Sequence, residues 1–320
     1  MECKRPFYFW FFQKLKSPLG DLGVKNYYLY NMNIKIYILF SGILCSSFVS
    51  AQTHVFSDEC KNKQIFDSYL KKNSHLTISS LNSQVVQTAM FFLDTPYVAS
   101  TLEVNEEEQL VINLQTFDCM TFVENCMALS RTVCSKDADF DTFKKELQTI
   151  RYRNGSIEGY TSRLHYTSDW ITDNQKKGIL EDKTQISGGI ILPMHINFMS
   201  THPQAYNHLS KHPESIEKMR QIEDAINSHT YYYIPKEKIK DCEKQIKSGD
   251  IICFVTSIQG LDISHLGIAY RKNGILTFIH ASATAQKVII DPLSIADYCK
   301  SIKSNKGIMV LGARYSVHDK

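Results

Sequence analysis

Glycine and proline are sparse in this sequence, 14 and 8 of 320 residues, which argues against collagen-like and low-complexity classes. It has no Cys-x-x-Cys pair and no His-Glu-x-x-His helix, so two common zinc signatures are missing. Neither sign of charge dominates, with 36 Lys and Arg against 33 Asp and Glu. The apolar run from Ile36 to Val49 is broken by Ser41, Ser46 and Ser47 and falls short of the roughly 20 residues that cross a bilayer, so no membrane anchor is expected. There is no internal repeat and no linker that would license a second domain. What is present, 43% hydrophobic and 22% charged residues, is enough to bury one large core.

The small excess of positive charge has a local origin. From Met32 the chain reads as a secretory signal: Lys35, the apolar run, then Val49-Ser50-Ala51 with small side chains at the positions a signal peptidase reads. Cleavage after Ala51 is expected, with export to the periplasm. Residues 1–31, with the aromatic cluster Phe7 to Phe12, fit no targeting pattern and are expected to be an over-extended gene start. Residues 1–51 carry six basic and two acidic residues, leaving 30 against 31 in residues 52–320. That balance removes the composition-level case for a nucleic-acid partner. Residues 52–320 are expected to form a single domain.

Setting aside Cys3 and Cys45 leaves seven cysteines, so at least one thiol should stay free. His195, His202, His208 and His212 lie close in sequence and read as surface or substrate-loop residues; no metal and no cofactor are expected.

The pattern of apolar residues changes along the chain. Ile65, Phe66, Tyr69 and Leu70 recur at helical spacing, and Val85, Val86, Ala89, Met90 and Phe92 do so again after Ser79-Ser80. A third helix is predicted from Asp118 to about Val133. The stretch from Tyr152 to about Tyr233 has weak periodicity and reads mainly as loops. Five β-rich runs follow: 251–256, 265–270, 275–281, 287–290 and 307–315. Helices first and an antiparallel sheet afterwards predict an α+β domain.

Chemistry is expected at Cys119. At the start of the third helix its sulfur would lie near backbone N–H groups without intrahelical partners, where the helix dipole favours thiolate. On position alone a buried structural cysteine is the more common reading, so a base is needed to decide. Asn273-Gly274 predicts a two-residue hairpin turn. If Lys272 faces Ile275, then His265 faces Ser282 and Gly267 faces His280. His265 and His280 then share one sheet face as diagonal neighbours, with Gly267 and Ala269 leaving room above the sheet.

These residues carry a resemblance. Phe117-Asp118-Cys119, Gly249-Asp250-Ile251, Ser264-His265-Leu266-Gly267-Ile268, Phe278-Ile279-His280-Ala281 and the earlier Thr95-Pro96-Tyr97 resemble motifs of the NlpC superfamily of papain-like cell-wall hydrolases. Leu110-Val111-Ile112-Asn113-Leu114, Asp118 to Glu124, Arg163-Leu164-His165-Tyr166, Ser168-Asp169-Trp170-Ile171 and Asn197-Phe198-Met199-Ser200 with Tyr206 resemble its N-acetylmuramoyl-L-alanine amidase-like branch, long catalogued as a domain of unknown function. Met120 departs from the serine common in the superfamily. The resemblance implies a papain-like fold, with N-terminal helices packed on the C-terminal sheet and a long insertion, about 151–235, between them. It also implies a Cys119–His265–His280 triad cutting the amide between N-acetylmuramic acid and L-alanine, on a muropeptide or peptidoglycan fragment and in a monomer.

Tyr97, Asp118, Arg163, Tyr166, Trp170 and Ser264 are the expected substrate-contacting residues. Arg163 is the best placed of these to clamp a carboxylate. Tyr166 and Trp170 could stack on sugar or belong to the core. Two alternatives stay open: a γ-D-glutamyl-diamino-acid endopeptidase with the same triad, and a non-catalytic cell-wall binding module.

Overall fold

The structure, a computed structural model, describes residues 58–73 and 80–315; the expected leader and export signal lie outside these. Among the described residues five α-helices come before the first strand: α1 (Glu59–Asn73), α2 (Leu81–Phe91), α3 (Cys119–Cys134), α4 (Phe140–Arg151) and α5 (Thr167–Lys176). Ser80 caps α2 by accepting the Ser83 N–H at 3.2 Å, as the Ser79-Ser80 signal suggested.

α3 is central, and every residue from Thr121 to Thr132 on it is buried. An apolar face was expected, but its polar residues are buried too, and each has a neighbouring partner. Glu124 pairs with Arg151 of α4 at 2.7 Å, Ser130 meets Thr88 of α2 at 2.8 Å, and Arg131 pairs with Glu146 at 2.6 Å. A buried charge persists only when paired in this way.

The sheet has eight strands: β1 (Leu180–Asp182), β2 (Ile190–Ile191), β3 (Tyr232–Pro235), β4 (Ile251–Thr256), β5 (Ile263–Lys272), β6 (Ile275–Ser282), β7 (Lys287–Ile290) and β8 (Asn305–Ala313). Their order is β2-β3-β8-β4-β5-β6-β7, with β1 also on β8, and each pairing is antiparallel. The five expected strands are present. The three others, of two to four residues, were not anticipated, because they lie inside the segment read as loops or at its end.

Alternation along the strands gives two cores. Ile251, Cys253, Leu266, Ile268, Ile279, Ala281 and Leu311 pack toward the N-terminal helices. Ile252, Phe254, Ala269, Leu276, Phe278, Ile308 and Val310 pack toward α7 (Ile295–Ser301), with α6 (Pro213–Asn227) preceding the main strands. An antiparallel sheet with the N-terminal helices on one face and α7 on the other makes an α+β fold.

The middle of the chain corrects the expectation that loops dominate from Tyr152 to Tyr233. It holds α5, α6 and further short helical turns. Their period was weak because the buried faces are partly polar: Ser168, Asp169, Asp173 and Asn174 of α5 and Glu223 of α6 are all buried.

Among the described residues no helix is long and apolar enough to cross a membrane. Cys60, Cys119, Cys126, Cys134, Cys242, Cys253 and Cys299 are all free thiols.

Candidate active site

Asp118 starts α3 with extended backbone (φ −96°, ψ −177°), and its carboxylate accepts the Thr121 N–H at 2.8 Å. Thr121 Oγ1 accepts the Asp118 N–H at 2.9 Å, completing a reciprocal capping box. The cap leaves Cys119 as the first helical residue. Upstream, Asn62 clamps the approach by donating to the Ile112 carbonyl and accepting the Leu114 N–H, both at 2.9 Å. Arg151 donates to the Val111 carbonyl at 2.6 Å. The helix start is thus fixed by residues far away in sequence.

Cys119 is half-buried. Burial and the neighbouring Asp118 charge push its thiol up to about 12, against the pull of the backbone amides of Leu266, Cys119 and Met120. A resting thiolate was the expectation. The amides at the helix start do favour it, but desolvation and the Asp118 carboxylate outweigh them.

Leu266, whose amide reaches the sulfur, follows His265 on β5. Pairing of Lys272 with Ile275, running to Ile268 with Ile279, is the expected hairpin register. Asn273 and Gly274 take positive φ (51° and 84°), as a two-residue hairpin turn requires. The consequence expected of this register is present: His265 Nε2 and His280 Nδ1 are 2.6 Å apart. Gly267 makes this possible, since a Cβ there would meet Phe278 Cδ2 at 2.5 Å and His280 Cβ at 3.1 Å.

Burial and the His280 ring hold the His265 imidazole well below the usual histidine range. His265 is ringed by aromatics, with centroids of Tyr298, Phe254 and Phe278 at 6.0, 6.1 and 6.3 Å. The site therefore rests as neutral thiol and neutral imidazole.

Tyr97 lies beside this centre. Its backbone bridges Phe117 and its N–H donates to the Gln286 carbonyl at 2.9 Å. Burial, with the Cys119 and Asp118 groups adding to it, pushes its hydroxyl far above the ordinary tyrosine value, so it stays a proton donor.

The other expected substrate contacts are placed differently. Arg163 is 7% exposed, and its guanidinium is held by Glu103 at 2.6 Å and Glu108 at 3.1 Å. Burial opposes that charge, but the two carboxylates outweigh it and hold the guanidinium charged. It organises its own loop, and a free clamp is not available. Tyr166 is buried, donating to Glu223 and accepting the Met199 N–H. Trp170 is fully buried in the core. Ser264 is half-buried and donates within the sheet region, to the Phe254 carbonyl and Asn305 Oδ1.

Two neighbours of the histidines were not anticipated. Asp291 is 8% exposed and its Oδ2 lies 3.1 Å from His280 Nε2. The β6–β7 register pairs His280 with Ile289, and the Asp291 N–H continues it by donating to the Phe278 carbonyl. Asp291 would have been found had that register been legible, but the turn at Ala283 to Gln286 lacks an Asn-Gly signature. Tyr298, on the short α7, completes the aromatic wall.

Among the described residues no group of three or more His, Cys, Asp or Glu converges as a metal site would. His208 and His212 do come together, as rings stacked at 4.3 Å, with Tyr160 on the other side of His208 at 4.2 Å.

The chain is similar to several solved structures. An N-acetylmuramoyl-L-alanine amidase from Bacteroides uniformis is 38% identical, with a TM-score of 0.71 over 73% of this chain and 99% of that one. A Bacteroides fragilis protein described provisionally as a xylanase is 40% identical, with a TM-score of 0.68 over 71% and 99%. A Legionella pneumophila protein at 24% identity, TM-score 0.62 over 81% and 96%, shares the fold. No curated protein matches. Residues 87–308, which hold Cys119, both histidines and Asp291, match the model of one family. The chain belongs to the N-acetylmuramoyl-L-alanine amidase-like family.

Proposed function

We propose that this protein is an exported cysteine amidase of the papain-like NlpC superfamily. Its substrate would be a peptidoglycan fragment cut between N-acetylmuramic acid and L-alanine. The observation that carries the reading is the half-buried Cys119 at a capped helix start, set against the β5 backbone next to a hydrogen-bonded histidine pair. Family membership supports a cell-wall hydrolase, and the amidase from Bacteroides uniformis supports the choice of bond.

In this mechanism the Cys119 sulfur attacks the lactyl carbonyl as its proton passes to His265 Nδ1, the ring nitrogen not engaged with His280. The oxyanion takes hydrogen bonds from the Cys119 N–H and the Tyr97 hydroxyl. His265 then gives its proton to the departing L-alanine nitrogen as the C–N bond breaks. Water, deprotonated by His265, cleaves the thioester and restores the thiol. The segment 151–235 would be an insertion that narrows the cleft. Export through residues 32–51 would deliver the enzyme to the periplasm.

Glycosidic cleavage, which the Bacteroides fragilis name brings up, fits less well. Common glycosidases need two carboxylates flanking the bond. Here Asp118 caps a helix and Asp291 lies buried behind His280.

Incubating the protein with a defined muropeptide and weighing the products tests the proposal. Free muramic sugar plus intact peptide is the expected result. A cut inside the peptide would make it an endopeptidase, a cut between sugars a glycosidase, and no cleavage a binding module.

A further inference from the structure

The histidine pair does not end at His280, and the next group decides how both rings carry their protons. A carboxylate only accepts hydrogen bonds, whereas a neutral imidazole has one donor and one acceptor nitrogen. Asp291 Oδ2 faces His280 Nε2 at 3.1 Å, so that nitrogen must carry the hydrogen. With the ring neutral, His280 Nδ1 is then bare and accepts from His265 Nε2 at 2.6 Å. That puts the His265 hydrogen on Nε2 and leaves Nδ1 bare. One carboxylate thus sets two tautomers in series. His280 is 1% exposed, so bulk water is not at hand to supply a competing partner.

We propose that Asp291 is a positioning residue that, through His280, keeps Nδ1 of His265 free to take the thiol proton. The inference rests on the reading of Cys119 as nucleophile and His265 as base.

A second contact makes the proposal unusually testable. The other carboxylate oxygen, Oδ1, accepts the Leu293 N–H at 2.8 Å. In Asp291→Asn that backbone N–H would select the amide oxygen and turn the amide NH2 toward His280. Every link would then reverse: His280 Nε2 becomes acceptor, its Nδ1 donor, and His265 is left with its hydrogen on Nδ1, the nitrogen the proposed mechanism needs bare. Asp291→Ala, by contrast, leaves His280 with no imposed preference. The near-isosteric amide should therefore do more harm than the truncation, the reverse of what a purely structural role would give.

The full-length protein with 15N-labelled histidine, its ring signals assigned with His265→Gln and His280→Gln, serves for the test. Long-range nitrogen–proton correlation spectra report which ring nitrogen is protonated, and muropeptide turnover gives kcat and KM. Expected are a wild-type His265 bare at Nδ1, reversal in Asp291→Asn with kcat down about 100-fold or more and KM unchanged, and a smaller loss of about 10-fold in Asp291→Ala. A wild-type His265 protonated at Nδ1 overturns the proposal even if neither variant folds. Equal losses with unchanged tautomers overturn it as well. Full turnover by Cys119→Ala would instead refute the cysteine reading and leave the tautomer assignment standing, so the two failures are distinguishable.

Discussion

The hydrogen-bonded chain on the sheet and the polar network in the middle segment both bury ionisable groups, and they end differently. Around the middle segment three buried or half-buried cations each meet a carboxylate: Arg163 with Glu103 and Glu108, Arg153 with Asp169, Lys177 with Asp173. Tyr166 and Glu223 likewise close on each other. On the sheet the run from Asp291 through His280 to His265 stops at a ring nitrogen with no such partner among the described residues. Closed networks hold shape. An open end can move a proton.

The largest effect that would sharpen this contrast lies at the open end. Cys119→Ala and His265→Ala should each lower kcat/KM by about a thousandfold or more, roughly 4 kcal/mol, with thermal midpoints little changed. Turnover that survives Cys119→Ala would remove the contrast altogether. Next in size, Arg163→Ala should cost about 3 kcal/mol in urea unfolding, because two buried carboxylates lose their partner, while KM per folded molecule stays put. A large rise in KM without loss of stability would reinstate Arg163 as a substrate clamp. His280→Ala should reduce kcat by about 10- to 100-fold, since His265 keeps its place but loses its orienting partner.

The smallest expected effect is in the pH profile. His265 is held low, so it stays a neutral base as pH falls through 6.5, and kcat/KM should be flat there, with the acid limb below the ordinary histidine range. With the Cys119 thiol pushed up to about 12, no thiolate ionisation should appear near neutrality. An acid limb at the ordinary histidine value, or alkylation that titrates like a low-pKa thiol, would contradict the neutral resting pair.

The same contrast explains what could be read from the sequence. The five main strands and the first three helix patterns were legible because each buries an apolar face with a clear period. The Cys119 position followed from a helix predicted to start at Asp118, and the His265–His280 pairing from an Asn-Gly turn, both local devices. Arg163 was placed at the substrate, and Tyr166 and Trp170 were left between substrate and core, because an arginine, a tyrosine and a tryptophan look alike in sequence whether they face a ligand or an internal partner. Glu103, which occupies Arg163, lies sixty residues away, and nothing local links the two. Asp291 was missed for the same kind of reason, its register being set by a turn with no signature. Local chemistry was visible, whereas pairing over long sequence distances was not.

The Asn273-Gly274 turn lies at the far end of the hairpin from the histidines, and both its residues are exposed. Exposed loop tips are where chains usually absorb insertions and deletions without harm. This one cannot. One extra residue accommodated by a shift in register would carry every side chain of β6 to the opposite face, His280 with them. For this protein, length variation at an ordinary surface turn amounts to a mutation of the proposed active site, and related chains that keep the paired histidines should vary in that turn's residues more freely than in its length.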